Sequence, residues 1–189
     1  MDEIDTKSLR GKLLIATPWL SGSIFEKSIV YVCYHGKEGA MGIVVNSVIN
    51  SVSSSDILAH LNIPSPSIRY HAPVHLGGPV EASRGFILHT DDYASELTRP
   101  IDNKVSITCS TQILKDIAIG RGPNQSIIAL GYTGWDGGKL EDELMNSFWV
   151  TAIADRDLIF DNDHQSKWKR VSESLGIDFC RYVPALGNA

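Results

Sequence analysis

The chain has 189 residues and a formal charge of −5, with a sequence pI near 5.6. Leu, Ile, Val and Phe supply 53 residues, or 28%, above the roughly 20% floor below which chains stay disordered. About 70% of the unfolded surface is buried at this length, so the core needs no metal or disulfide, and the acidic balance excludes a broadly basic nucleic-acid binder.

Residues 1–8, MDEIDTKS, are charged and unpatterned and read as a frayed N-terminus, with 9–189 as a single domain. KLLIA from Lys12 reads as a strand stopped by Pro18. Ser28–His35 is dense in β-branched and aromatic residues and predicts a second strand; the GKEGA turn and Met41–Asn46 complete a hairpin. A helix follows over DILAHL, with a serine of Ser53–Ser55 as N-cap and Asp56 in its first turn, ended by Pro64 and Pro66. Strands are expected at Val74–Leu76, Gly85–His89 and Lys104–Thr108, then a helix from Thr111 to Ile119 stopped by Gly120. Ser126–Leu130 reads as a strand, GYTGWDGG as a glycine-dense loop and KLEDELM as a short helix or turn. Phe148–Ile153 and Asp157–Phe160 are further strand candidates, and His164–Leu175 is the last helix. Paired strands with irregularly inserted helices make the class α+β, not a βαβ array.

Cys33, Cys109 and Cys180 are odd in number and lack metal or redox spacing, which points to a reducing compartment. With no signal peptide, lipidation motif or membrane-length apolar run, the expected location is the cytoplasm. His71 and His75 form H-x-x-x-H, but Pro73 between them spoils the helical geometry that would aim both rings at one ion, so no metal is expected. Cys109 precedes a helix start, where a thiol can become nucleophilic; the competing reading has Ser110 or Thr111 cap the helix while the thiol packs. The glycine-dense loop lacks the Lys-Ser/Thr of a phosphate cradle, and Glu141, Asp142 and Glu143 beyond it repel phosphate. No cofactor is expected. Lys167, Trp168, Lys169 and Arg170 form the basic cluster; Trp168 and Val171 read as the buried stripe of that helix and the lysines as solvated.

Leu9–Pro18, Ser28–Asn46, His75–His89, Val105–Pro123 and above all LGYTGWDGGKLEDEL, Leu130–Leu144, occur in an order that resembles the YqgE/AlgH family of bacterial proteins. Four positions depart from its pattern: Ser47 and Val48 replace an Arg-Pro pair, Lys139 a glutamine and Trp19 a smaller residue. The resemblance implies a strongly bent, mostly antiparallel sheet forming a pseudo-barrel with flanking helices. One branch of the family carries a transcriptional-regulator label without a DNA-binding motif, and no catalytic residues transfer.

Three functions follow in order of expectation. The first is a regulatory or interaction module acting through a protein partner or small ligand. Its candidate binding residues are Asn46, His75, Arg84, His89, Trp135 and Asp136, which combine donors, acceptors and an aromatic face. Each has a structural alternative: Asn46 ending a strand, Arg84 pairing with Glu81, Trp135 plugging the barrel. The second is a hydrolase using His75 or His89 as base with Asp136 or Glu141. The third, direct DNA binding through Lys167, Lys169 and Arg170, is disfavoured by the acidic chain. Nothing in the pattern decides the oligomeric state.

Overall fold

The computed structural model describes residues 8–64 and 72–179. The expected frayed stretch 1–8 falls almost wholly outside these residues, as do His71 and Cys180. Alternation along the first strands sets up two apolar faces. In β1 (Lys12–Ala16) and β2 (Ile29–Gly36), Leu13, Ile15, Ile29, Tyr31 and Cys33 point into one core, and Leu14, Ala16, Val30 and Val32 into another. A sheet apolar on both faces must be covered on both.

After β3 (Gly39–Val44) come β4 (Val48–Ser53), β5 (Pro73–Leu76), β6 (Val80–Thr90), β7 (Thr98–Pro100), β8 (Val105–Thr108), β9 (Ser126–Asp136) and β10 (Trp149–Ile153). The main path runs β10-β1-β2-β3-β9-β6-β8-β7, with β4 and β5 branching from β9. Pairing is antiparallel except where β5 runs parallel to β9. Ala152 of β10 and Ile107 of β8, near opposite ends of this path, belong to one core. They can meet only because the sheet curls into a half-barrel, as the resemblance implied.

The inner core is closed by Ile159 and Phe160 of α4 (Arg156–Phe160) and Val171 of α5 (Lys167–Ser174). Leu140 of α3 (Lys139–Met145) covers the second face. The third core places Leu58 of α1 (Ser54–His60) and Ile113 and Leu114 of α2 (Thr111–Ala118) against Val74, Ile87 and Ile128. Local chemistry starts both helices: Ser53 and Asp56 form a reciprocal capping box on α1, and the Ser110 hydroxyl accepts from Gln112 N–H on α2.

Two expectations need correction. The glycine-dense segment after Leu130 is not a loop, because β9 continues through it to Asp136, pairing with β3 from Thr133 onward. Its glycines serve close approach instead: Gly131 has φ +71°, and a Cβ there would lie 2.3 Å from the Gly78 carbonyl oxygen. Asp157–Phe160 is helix α4, not a strand, because Asp155 accepts from Asp157 N–H as an N-cap. Strands β4 and β7 were unanticipated, and β6 begins at Val80, five residues before its apolar part. Among the described residues no helix is long and apolar enough to cross a membrane.

Candidate functional site

The segment that builds the site is the first half of β6. Its register against β9 steps from Val80 opposite Tyr132 to Gly85 opposite Leu130. Residues 81–84 are thus bulged out opposite Gly131 alone, with Glu81 held at φ +47°. Non-glycine residues rarely take that conformation, and it costs energy that the surrounding ladder must supply. The bulge presents the exposed Arg84 at the edge of two cavities.

Strand alternation separates these cavities. Ser83, Gly85 and Ile87 face one of about 580 Å³ between α1 and α2, floored by Ile128 and Leu130. Phe86 faces the other, of about 530 Å³, with Tyr34, Met41 and Tyr132. Tyr132 joins the opposite face from Leu130 although two positions away, because the Gly131 kink inverts the alternation. Arg84 and Cys109 line both cavities.

Of the six candidate residues, only Arg84 lines either cavity. It pairs with Glu81 at 2.9 Å and lies 5.2 Å from the Phe86 ring centroid. The other five are placed elsewhere. Asn46 bridges backbone, its Oδ1 accepting from Ile29 N–H at 2.8 Å and its Nδ2 donating to Lys27 O at 2.9 Å. Trp135 packs in the second core, and its indole N–H and that of Trp149 both donate to Glu143 Oε2 at 2.8 Å. His89 is fully buried between Thr90 O and Thr108 Oγ1, each at 2.8 Å, and burial holds its pKa below the usual range. Asp136 is exposed where β9 meets β3.

His75 is also buried, and its nearest ring partner is another histidine: Nε2 lies 3.3 Å from His164 Nδ1. Its own Nδ1 is buried without a hydrogen-bond partner. Burial, with His164 and Lys167 beside it, pushes the His75 pKa down to about 3. The pairings required of a hydrolase are therefore not made: Glu141 is 2.9 Å from His35 Nε2, whose Nδ1 accepts from Leu9 N–H. Among the described residues no group of three or more His, Cys, Asp or Glu is placed to hold a metal ion.

Of the two lysines in the basic cluster, Lys169 is solvated as expected and Lys167 is not. Lys167 is fully buried, its ammonium donating to Val45 O and Ile159 O, and burial pushes its pKa down to about 8. Arg170 pairs with Asp161, and Lys169 with Glu173 at 3.7 Å. Lys167, Val171 and Trp168 form the inward face of the helix, with the Trp168 indole N–H donating to Ala16 O at 2.8 Å. Cys109 is exposed, and the partial loss of solvent around its sulfur pushes its pKa up, with the nearby Arg84 opposing the rise. Sequence reasoning missed Arg10 and Arg99 at the second cavity and Asp56 and His60 at the first. Only their convergence in the fold distinguishes them.

Residues 13–180 match the family described as AlgH-like. The UPF0301 protein of Ruegeria pomeroyi is 42% identical over 183 residues, which cover 96% of this chain and 99% of that one. That of Methylocella silvestris is also 42% identical, covering 96% and 92% respectively. The solution structure of the AlgH protein from Pseudomonas aeruginosa superposes with a TM-score of 0.80 at 31% identity, covering both chains entirely. A protein from Corynebacterium diphtheriae shares the fold at a TM-score of 0.68 and 17% identity, with 87% of this chain and 85% of that one covered. The chain belongs to the AlgH-like family, UPF0301.

Proposed function

We propose that this protein is a cytoplasmic regulatory module whose signal is a small, largely apolar ligand held between α1 and α2. The carrying observation is the cavity of about 580 Å³, within the roughly 300–1,000 Å³ of small-molecule sites. Ile57, Leu61 and Leu114 wall it, while Asp56, His60, Arg84 and Ser110 offer a few polar groups at its rim. That proportion suits a ligand with an apolar body and one polar end. Filling the space would tie α1 to α2 across the sheet, and the changed outer surface is what a protein partner would read. The cytoplasm suits Cys33 and Cys109, which are free thiols.

The test is native mass spectrometry of protein purified without chelators, alongside Gly85→Leu. Gly85 lines the cavity, and a Cβ built there meets nothing within 4 Å, so the new side chain has room to grow into it. The expected result is a discrete small-molecule adduct on the parent protein that is lost from the variant. A bare mass for both, or an adduct that persists undiminished in Gly85→Leu, overturns the proposal.

A further inference from the structure

We propose that the second cavity, on the opposite face of β6, is a separate binding site for an aromatic anion: a flat ring system bearing a carboxylate or phosphate. In a chain of net charge −5, three arginines from distant segments line this one cavity of about 530 Å³. Arg10 enters just before β1, Arg84 on β6 and Arg99 on β7.

Two of the three charges lack an ion-pair partner among the described residues. Arg10 donates from Nε to Ile101 O at 3.0 Å and from Nη2 to Pro100 O at 2.5 Å. Arg99 donates from Nη1 to Glu96 O at 3.2 Å and Thr98 O at 3.1 Å. Carbonyls orient a guanidinium without cancelling its charge. Asp102 lies beside Gly11, next to Arg10 in the chain, but already accepts from Tyr31 Oη at 2.7 Å and from the N–H groups of Lys104 and Val105 at 2.7 and 2.8 Å. Only Arg84 has a carboxylate, that of Glu81 on the strained bulge. The lining thus carries three cations against one anion.

The rest of the lining is built for a ring. Phe86 and Tyr132 stand edge to face with centroids 5.5 Å apart, and Met41 and Ile107 are apolar neighbours. Offset or edge-on packing against such rings suits an aromatic guest, and guanidinium forks suit planar carboxylate and phosphate oxygens. Glu81 competes with the guest for Arg84, so its carboxylate must give way when the anion enters.

The probes are 1-naphthoate and 1-naphthyl phosphate, with 1-naphthalenemethanol as the uncharged analogue and inorganic phosphate as the ringless one, followed by calorimetry and aromatic-region NMR. Both naphthyl anions are expected to bind roughly tenfold or more tighter than the alcohol and than phosphate, shifting the Tyr34 and Tyr132 resonances. Arg99→Gln should weaken binding several-fold and Glu81→Gln tighten it; both side chains are exposed at the rim, so folding is not at stake. Gly85→Leu, which blocks only the first cavity, should leave the affinity unchanged. A stronger preference for one anion would identify the headgroup. Equal binding of the alcohol, no binding of any probe, or loss of anion binding in Gly85→Leu would each overturn the assignment.

Discussion

Gly85→Leu should stabilise the protein, which is the reverse of what inserting a large residue beside a packed core does. Gly85 is half-buried in β6 opposite Leu130, its φ lies outside the left-handed region, and a Cβ there meets no atom within 4 Å. Two contributions then add. Replacing glycine in an unstrained strand removes freedom from the unfolded chain, worth about 0.4–1 kcal/mol. Covering a leucine side chain against Ile87, Ile128 and Leu130, which share the cavity wall, contributes about half of the roughly 1.5–3 kcal/mol for full burial. The sum is about 1.2–2.5 kcal/mol, which for a chain of this length raises Tm by roughly 2–10 °C. Gly85→Ser makes the same backbone change without apolar burial and should recover only the smaller part. Calorimetric Tm values for the three proteins, free of ligand, test the reasoning. A Leu variant that melts at or below the Tm of the parent would show that the space is filled or unreachable from β6.

The buried His75 makes stability pH-dependent. In the folded state His75 resists protonation until about pH 3, whereas an unfolded histidine takes up its proton near 6.5. Between those values the unfolded state binds more protons, so stability falls on acidification by about 1.4 kcal/mol per pH unit. His75→Phe should flatten the slope of urea-unfolding free energy between pH 6.5 and 5; an unchanged slope removes His75 as its source. At the second face, Glu143→Ala leaves the Trp135 and Trp149 indole N–H groups without their common acceptor. A loss of about 2–4 kcal/mol is expected, as two buried donors go unpaired. Glu143→Gln, which keeps an acceptor oxygen, should lose less, and no loss in Glu143→Ala would mean that the carboxylate bonds contribute nothing.

The readable part of this fold was written in local pattern. β1, β2 and β3 announce themselves because their alternating or continuous apolar residues are bounded by turn residues, and α1 and α2 because a serine stands before each. What local pattern misses are elements whose stability comes from distant partners. β9 continues through a run of glycines because β3 supplies the ladder and because only glycine tolerates the approach of the Gly77–Gly78 turn. Asp157–Phe160 carries strand-like residues, yet a five-residue helix forms there because the N-cap and the inner core both favour it. Lys167 is the sharpest case. Lys169 and Arg170 follow close behind it, so composition predicts a solvated lysine, while the fold brings two carbonyls, one of them 122 residues away, to satisfy its ammonium inside the protein.

The same division explains the candidate site. Histidine, tryptophan and asparagine were singled out because their chemistry is versatile, but versatility also suits them to internal joints, which is where Asn46, His75, His89 and Trp135 stand. Arg84 is the exception, and its place depends on the β6 bulge rather than on its own neighbours in sequence. Arg10 and Arg99 were unremarkable as single residues. Their meaning arises because curling the sheet brings the approach to β1 beside β7, so that two cations held by carbonyls face the one that Glu81 neutralises. Among the described residues the inside of the half-barrel is filled by the inner core. Two cavities instead lie where the sheet is distorted, one on each face at the bulge of residues 81–84. Both proposed sites thus meet at the interruption of the β-ladder, where the strain at Glu81 is kept.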